Sequence, residues 1–163
     1  MNSLAKYRKK RDFEKTAEPK GSKKAIFKKN IFVIQKHYSS HLHFDFRLEI
    51  GKTLKSWAVP KGIPKSTKIK RLAVLTEDHP IEYAKFEGII PEGEYGAGKV
   101  IIWDKGYFEN IKKDQKEKTV SIKKCLKNGQ IEIFLHGKKI IGPFALVRFK
   151  DDKNWLLIKM KKK

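Results

Sequence analysis

The sequence predicts an all-β fold, either a barrel or a sandwich. Polar and apolar residues alternate over many short segments, which is the spacing of strands that bury one face. Glycine and proline separate these segments, as in sheets built from hairpins. With 163 residues, the chain is long enough for one domain with a hydrophobic core. Only residues 111–127 have a weakly helical pattern.

The predicted strands follow one another from residue 31 onward. Residues 31–35 are rich in β-branched and aromatic side chains, and residues 41–50 alternate strictly between polar and apolar. The remaining strands are predicted at residues 54–59, 71–76, 100–103, 130–135, 140–149 and 155–160. Residues 82–86 are too short to assign, and the glycine-rich residues 91–98 predict a turn.

Residues 1–30 are basic and contain few periodic apolar side chains, so they predict an N-terminal arm before a domain at residues 31–163. Composition alone favours a disordered tail for this arm. The net charge of +21 predicts a polyanionic partner, with nucleic acid the leading candidate. We find no basic amphipathic helix that would favour a membrane surface instead.

Cys125 is the only cysteine, which excludes an intrachain disulfide and favours a reducing compartment. The sequence also has no apolar segment long enough to be a signal peptide or a membrane span. We therefore expect a soluble, cytoplasmic protein without a membrane partner.

The polar face of residues 41–50 predicts a metal site. His43 and Asp45 lie about 6.6 Å apart on one strand face, close enough to bind one ion. Either His37 or His41 could be the third ligand, but His37 reaches the site only if the chain turns back at residues 38–40. Nitrogen and oxygen ligands without thiolate suit Mn²⁺ or Zn²⁺ and exclude an iron–sulfur cluster.

A phosphate site is predicted beside the metal. Arg47 follows Asp45 on the same face and could hold a phosphate oxygen, and Lys61 and Arg71 could add positive charge. His79, at a strand end before Pro80, is placed to donate a proton.

Residues 93–99 match part of a phosphate-binding loop, but Val100 replaces its hydroxyl residue and a strand follows instead of a helix. A β-turn is the better interpretation. No motif indicates a covalent nucleophile.

Several motifs in this chain resemble the 3′-phosphoesterase domain of bacterial DNA ligase D and its free-standing relatives. They occur in order at residues 35–37, 43–49, 56–62, 77–80, 86–88 and 91–98, with an N-terminal motif at residues 7–13 and 18–19. The resemblance runs from about residue 4 to the C-terminus. It implies one compact β-barrel with few short helices.

The resemblance also implies an activity. Members are manganese-dependent end-healing nucleases, which remove a 3′-terminal ribonucleoside and then the remaining 3′-phosphate to leave a 3′-hydroxyl. Their substrates are DNA or mixed DNA/RNA 3′ ends. Other divalent ions, such as Zn²⁺ or Co²⁺, would fit the same ligands. No ligase module is present in this chain, so a DNA ligase acting in trans is the implied partner.

The site residues can be carried over motif by motif. His37, His43 and Asp45 would hold the metal, which requires the chain to turn back at residues 38–40. Catalytic roles would fall to Arg47, His79 and Tyr83, with supporting phosphate contacts from Gln35, Lys61 and Arg71. Arg11, Asp12 and Glu18 of the arm would serve chiefly the ribonucleoside-removing step.

Two alternatives remain at this stage. A non-catalytic, basic nucleic-acid-binding barrel explains the charge equally well. A structural zinc site would use the same ligands for stability rather than for chemistry.

Overall fold

The computed structural model describes residues 4–21 and 30–162. Within them lie α1 (Ala5–Lys9), β1 (Ile31–Tyr38), β2 (Leu42–Ile50), β3 (Thr53–Val59), β4 (Lys70–Leu75), a 3₁₀ helix (Ile81–Lys85), β5 (Gly88–Ile90), β6 (Gly98–Asn110), α2 (Ile122–Asn128), β7 (Gln130–His136), β8 (Ile141–Arg148) and β9 (Asn154–Lys159). No helix within the described ranges has the length and apolar character needed to cross a bilayer.

Eight of these strands form a closed antiparallel barrel. Their order is β1-β2-β3-β4-β9-β8-β7-β6, and β6 pairs with β1 to complete the ring. The short β5 lies outside the ring, hydrogen-bonded to β6. Closure pairs the edges of the sheet, which would otherwise be open to other strands. The mostly β prediction and the barrel that the resemblance implied are confirmed, and a sandwich is excluded.

Three elements differ from their predicted extent. The strand predicted at residues 100–103 extends over Gly98–Asn110, where it pairs with β1, β5 and β7. Of the ambiguous residues 82–86, all but Phe86 belong to a 3₁₀ helix that follows Pro80. The weak helical pattern yields only α2, which begins at the Ser121 cap and ends at left-handed Gly129.

Strands β1 to β3 bury residues on both of their faces, and these residues form two separate clusters. The inner face packs in the barrel core, where Phe46 and Trp57 are fully buried. The outer face of β1 and β3 contributes Val33 and Leu54 to a second cluster, together with Tyr83 from the 3₁₀ helix. This second cluster supports the polar side chains of β2.

The N-terminal arm covers the second cluster. Tyr7 of α1 is fully buried there, and its hydroxyl donates a hydrogen bond to the carbonyl of Pro19. The Tyr7 ring lies 5.0 Å from the imidazole of His79. The disordered tail that composition favours therefore does not describe residues 4–21. Residues 1–3 and 22–29 of the predicted arm lie outside the described residues.

Candidate active site

The β1–β2 hairpin determines which histidine joins His43 and Asp45. Residues 39–41 connect the two strands, and the register places His37 directly opposite His43 and Gln35 opposite Asp45. Opposed residues of an antiparallel pair project from the same face. The chain thus turns back at the predicted place, and His37 rather than His41 meets the other two side chains.

The three side chains converge on one point. Their nearest ligand atoms all lie within 4.8 Å of one another. His43 Nε2 is 3.1 Å from Asp45 Oδ1, and His37 Nδ1 is 3.4 Å from Asp45 Oδ2. His37 and Asp45 are buried, and His43 is partly exposed. Such spacing leaves room for one cation between the three groups.

Hydrogen bonds on the far side of each imidazole determine which nitrogen carries the proton. His37 Nε2 lies 2.6 Å from the Gly96 carbonyl, and His43 Nδ1 lies 3.0 Å from the His41 carbonyl. Carbonyl oxygens only accept, so these nitrogens hold the hydrogens. When the rings are neutral, the other two nitrogens, which face the Asp45 carboxylate, can give their lone pairs to a divalent cation.

Asp45 also pairs with Arg47, whose Nη2 lies 3.4 Å from Oδ2. Burial would raise the pKa of Asp45, but Arg47 and the two histidines outweigh it and hold the pKa well below its usual range. Burial likewise opposes the charged form of His43, yet Asp45 raises the pKa of this imidazole. The carboxylate is therefore anionic and ready to bind a cation.

Gln35 holds Arg47 in place. Arg47 Nε donates to Gln35 Oε1 at 2.6 Å, while Gln35 Nε2 donates to the carbonyls of Tyr83 and Phe86. The Arg47 guanidinium also lies 4.7 Å from the Tyr83 ring. Both ends of the Gln35 amide are thus engaged within the protein, and one of them contacts Arg47. The phosphate contact of Gln35 stays a prediction.

Arg11 brings a second guanidinium to the same place. Its Nε pairs with Glu18 Oε2 at 2.9 Å, and its Nη1 pairs with Glu77 Oε1 at 3.2 Å. Burial would raise the pKa of Glu77, but its own backbone, Arg11 and Lys10 lower it. The arm thus supplies a buried cation whose countercharges come from the arm itself and from the barrel.

His79 lies between the arm and the barrel. Its Nδ1 donates to the Glu77 carbonyl at 2.9 Å, and its Nε2 lies 3.5 Å from Arg11 Nη2. Burial lowers the pKa of His79 well below its usual value, and Arg47 and Arg11 lower it further. His79 is therefore neutral, with a lone pair on Nε2 facing Arg11. The predicted role as proton donor requires a protonated ring, which this free state disfavours.

These groups line one open cleft of about 770 Å³. Of the predicted site residues, those in its lining are Arg11, His37, His43, Asp45, Arg47, His79 and Tyr83. Glu18 and Gln35 lie behind that lining and bind its members.

The other three predicted site residues are not brought to the cleft. Asp12 accepts a hydrogen bond from the Glu14 amide within the arm, Lys61 is exposed in the turn after β3, and Arg71 lies on β4 opposite Leu157. Their roles remain predictions.

Sequence reasoning missed several residues of the cleft, including Glu77, Ile89, Tyr95 and Gly96. The signal for Glu77, Tyr95 and Gly96 was present, since all three belong to motifs of the resemblance. Ile89 gave no such signal, because an isolated aliphatic residue is more often part of the core.

Comparison with known proteins identifies the family of this chain. Residues 35–148 match the family described as the DNA Ligase D 3′-phosphoesterase domain. The chain is 46% identical over 159 residues to the multifunctional non-homologous end joining DNA repair protein LigD of Mycobacterium tuberculosis. It is 45% identical over 163 residues to the LigD protein of Pseudomonas aeruginosa, and 47% identical over 163 residues to that of Mycolicibacterium smegmatis.

These alignments cover 97%, 97% and 98% of this chain, but only 20%, 18% and 21% of the three relatives. The chain therefore spans about a fifth of the length of the curated relatives it matches. The residues of this chain that match the family, 35–148, include His37, His43 and Asp45. This chain belongs to the DNA ligase D 3′-phosphoesterase domain family.

Proposed function

We propose that this chain is a manganese-dependent phosphoesterase that heals 3′ ends of DNA or mixed DNA/RNA strands. It removes a 3′-terminal ribonucleoside and then the 3′-phosphate, leaving a 3′-hydroxyl. The observation that supports this most is the convergence of three metal-ligating atoms beside two buried guanidinium groups in one open cleft. Metal ions and guanidinium groups both stabilise the charge that develops on a phosphoryl group during hydrolysis.

His37, His43 and Asp45 would hold the cation, with Mn²⁺ preferred and Zn²⁺ or Co²⁺ compatible with the same donors. In such a site a divalent cation supplies Lewis-acid polarisation of a phosphoryl oxygen. Arg47 and Arg11 bind the other phosphoryl oxygens and neutralise charge that develops there. Gln35 and Glu18 fix the two guanidinium groups so that little reorganisation is needed when the substrate binds.

His79 would act on the leaving oxygen. In monoester hydrolysis water attacks phosphorus, the bond from phosphorus to the sugar 3′-oxygen breaks, and that oxygen must gain a proton. A phosphate bound beside Arg11 and Arg47 offsets the two charges that lower the His79 pKa. Substrate binding thus favours the protonated ring, which can then give its proton to the leaving oxygen.

The arm assists mainly in ribonucleoside removal, and we assign it to residues 1–30, with the barrel at residues 31–163. Arg11 and Glu18 act at the cleft, Tyr83 orients Glu18, and Asp12 supports the arm.

Lys61 and Arg71 would contact nucleic acid beyond the scissile phosphate. A DNA ligase in trans would seal the healed end, as the end-joining names of the relatives suggest. We also propose a cytoplasmic location, because the relatives are bacterial end-joining proteins and bacterial DNA lies in the cytoplasm.

The decisive test is turnover on two 5′-labelled primers, one ending in a 3′-phosphate and one in a single 3′-ribonucleotide. With Mn²⁺ both should be converted to 3′-hydroxyl ends, and with EDTA neither should react. A non-catalytic basic barrel would bind both primers without converting them. A structural zinc protein would lose its fold on chelation, whereas a catalytic metal site should leave the barrel folded.

A further inference from the structure

Two large apolar side chains are exposed at the mouth of the cleft. Ile89 on β5 is 72% exposed and Tyr95 is 49% exposed, and both line the cleft. Apolar side chains exposed beside a polar site are a common mark of ligand contact. The phosphate chemistry described above uses neither residue.

The position of Tyr95 is determined by the glycine-rich turn that also supports the metal ligands. Its neighbour Gly96, with φ +76°, presents the carbonyl that orients His37 at 2.6 Å. Two backbone hydrogen bonds, from Glu94 to Pro91 and from Ala97 to Glu94, hold the turn. The Tyr95 ring is therefore attached to a rigid part of the site rather than to a free loop.

The ring also lies next to two cations of the N-terminal arm. Arg11 Cζ is 5.5 Å from the ring centroid, and Lys10 Nζ is 4.6 Å from it. Lys10 Nζ lies 3.5 Å from the Tyr95 hydroxyl, near the outer end of the ring. A phosphate held by Arg11 would thus lie one side chain away from an aromatic face that is half exposed.

We propose that Tyr95 stacks on the nucleobase of the nucleotide that carries the 3′-phosphate, while Ile89 gives the same nucleotide an apolar contact. The proposal rests on the proposed function. In a nucleotide the base is separated from its 3′-phosphate by one sugar, so a phosphate at Arg11 brings that base to the rim. Stacking on an aromatic ring tolerates every base, which suits an enzyme that must heal ends of any sequence.

The test compares two primers that differ only in the nucleotide bearing the 3′-phosphate, which is normal in one and abasic in the other. Wild-type protein with Mn²⁺ should have a KM about tenfold lower for the normal primer, with similar kcat. Tyr95→Leu should raise KM on the normal primer and bring the two primers to the same value. Tyr95→Phe keeps the aromatic face and should keep the discrimination.

Phe149→Leu is the matched control, because Phe149 is 52% exposed but does not line the cleft. This variant should discriminate between the primers as wild type does. A binding measurement decides the question without turnover. With 2-aminopurine as the base and EDTA present, wild type should quench its fluorescence, and Tyr95→Leu should not.

Equal KM values for the two primers in wild type, or equal quenching by wild type and Tyr95→Leu, would overturn the stacking role. A Tyr95→Leu variant that lost kcat equally on both primers would also contradict it and would assign the residue to the support of His37. Absence of turnover by wild type on both primers would instead reject the proposed function, and the fluorescence result would still decide the stacking.

Discussion

The hydroxyl of Tyr83 donates a hydrogen bond to Glu18 Oε2 at 2.6 Å and thereby joins the 3₁₀ helix to the N-terminal arm. The same carboxylate oxygen accepts from Arg11 Nε at 2.9 Å, and Oε1 accepts from Thr16. Burial raises the pKa of Tyr83 well above its usual value, and Glu18 raises it further. Tyr83 is thus a neutral donor to Glu18, the carboxylate that also binds Arg11.

Replacing Glu18 by glutamine should impair ribonucleoside removal more than phosphate removal. The amide removes the negative charge that faces the buried Arg11 guanidinium, and its nitrogen replaces one of the two oxygens that accept from Arg11, Tyr83 and Thr16. A lost hydrogen bond to a charged group costs about 1.5–3 kcal/mol, so we expect a loss of about 10- to 100-fold in the first reaction. Rates on the ribonucleotide and 3′-phosphate primers measure the two steps separately.

Glu14→Gln, an exposed change in the same arm, serves as the control and should alter neither rate. Equal losses in both reactions of Glu18→Gln would mean that the arm serves the common chemistry rather than one step.

Tyr7 should carry much of the free energy that docks the arm. It is fully buried and contacts Phe13, His79 and Tyr83. Tyr7→Ala should destabilise the docked state by about 3–5 kcal/mol, the usual cost of deleting a buried aromatic ring. Tyr7→Phe loses only the hydrogen bond to the Pro19 carbonyl and should cost about 1 kcal/mol. Urea unfolding and the rate of proteolytic cleavage within the arm measure these effects, and an unchanged cleavage rate in Tyr7→Ala would show that other contacts hold the arm.

Local patterns predicted the strand face that carries two of the three metal ligands. The alternation of residues 41–50 gives the shared face of His43 and Asp45, and the two serines before it allow the turn. The pattern of residues left two folds, a barrel or a sandwich, and two candidate ligands, His37 or His41. The resemblance was needed to choose the barrel and His37. The alternating pattern identified the face of β2 on which the ligands lie, but it did not identify β1 as the strand that pairs with it.

Long-range contacts explain what the sequence did not reveal. Asp104 and Gly106 resemble loop residues, so the long strand β6 was predicted to end before them. Asp104 accepts a hydrogen bond from the backbone N–H of Lys138, 34 residues further along the chain. A Cβ on Gly106 would lie 1.9 Å from the His136 carbonyl oxygen. The burial of Tyr7 likewise depends on residues more than seventy positions away. No window of local sequence contains such information.

Asp104→Asn should destabilise the barrel without altering the cleft. The Asp104 carboxylate is buried and accepts four backbone N–H groups, from Lys105, Lys138, Lys139 and Ile140. An amide nitrogen in place of one oxygen leaves at least one of these donors unpaired, at a cost of about 1–3 kcal/mol. Urea unfolding would detect the loss, while Mn²⁺ affinity should equal that of wild type. A variant with full stability would mean that water replaces the lost acceptor.

Asp45→Asn should abolish metal binding and both reactions. The substitution keeps the shape of the side chain but removes the negative charge, and its amide nitrogen would face the cation. We expect at least about a 100-fold loss of Mn²⁺ affinity by calorimetry, and no product from either primer. Asp78→Asn is the matched control, since Asp78 pairs with Lys55 at 2.8 Å and does not line the cleft. Full phosphatase activity of Asp45→Ala with manganese would refute the assignment.

The neutral buried state of His79 should make the metal-free protein less stable in mild acid. The pKa of His79 is lowered in the fold, whereas in the unfolded chain it is about 6.5. Below that value the unfolded chain binds a proton that the folded chain does not, so stability falls by up to about 1.4 kcal/mol per pH unit. The raised pKa of His43 acts in the opposite direction and partly offsets this loss.

His79→Phe separates the two effects, because it removes one titrating group and leaves His43 in place. In EDTA, between about pH 7.5 and about pH 5.5, wild type should lose about 1 kcal/mol more stability in urea than His79→Phe does. The phenyl ring can occupy the same space between Tyr7 and Tyr83, whose rings lie 5.0 and 4.7 Å from the imidazole. Equal losses in the two proteins would mean that His79 takes up its proton inside the folded cleft even without phosphate, and it would then be a competent acid before any substrate arrives.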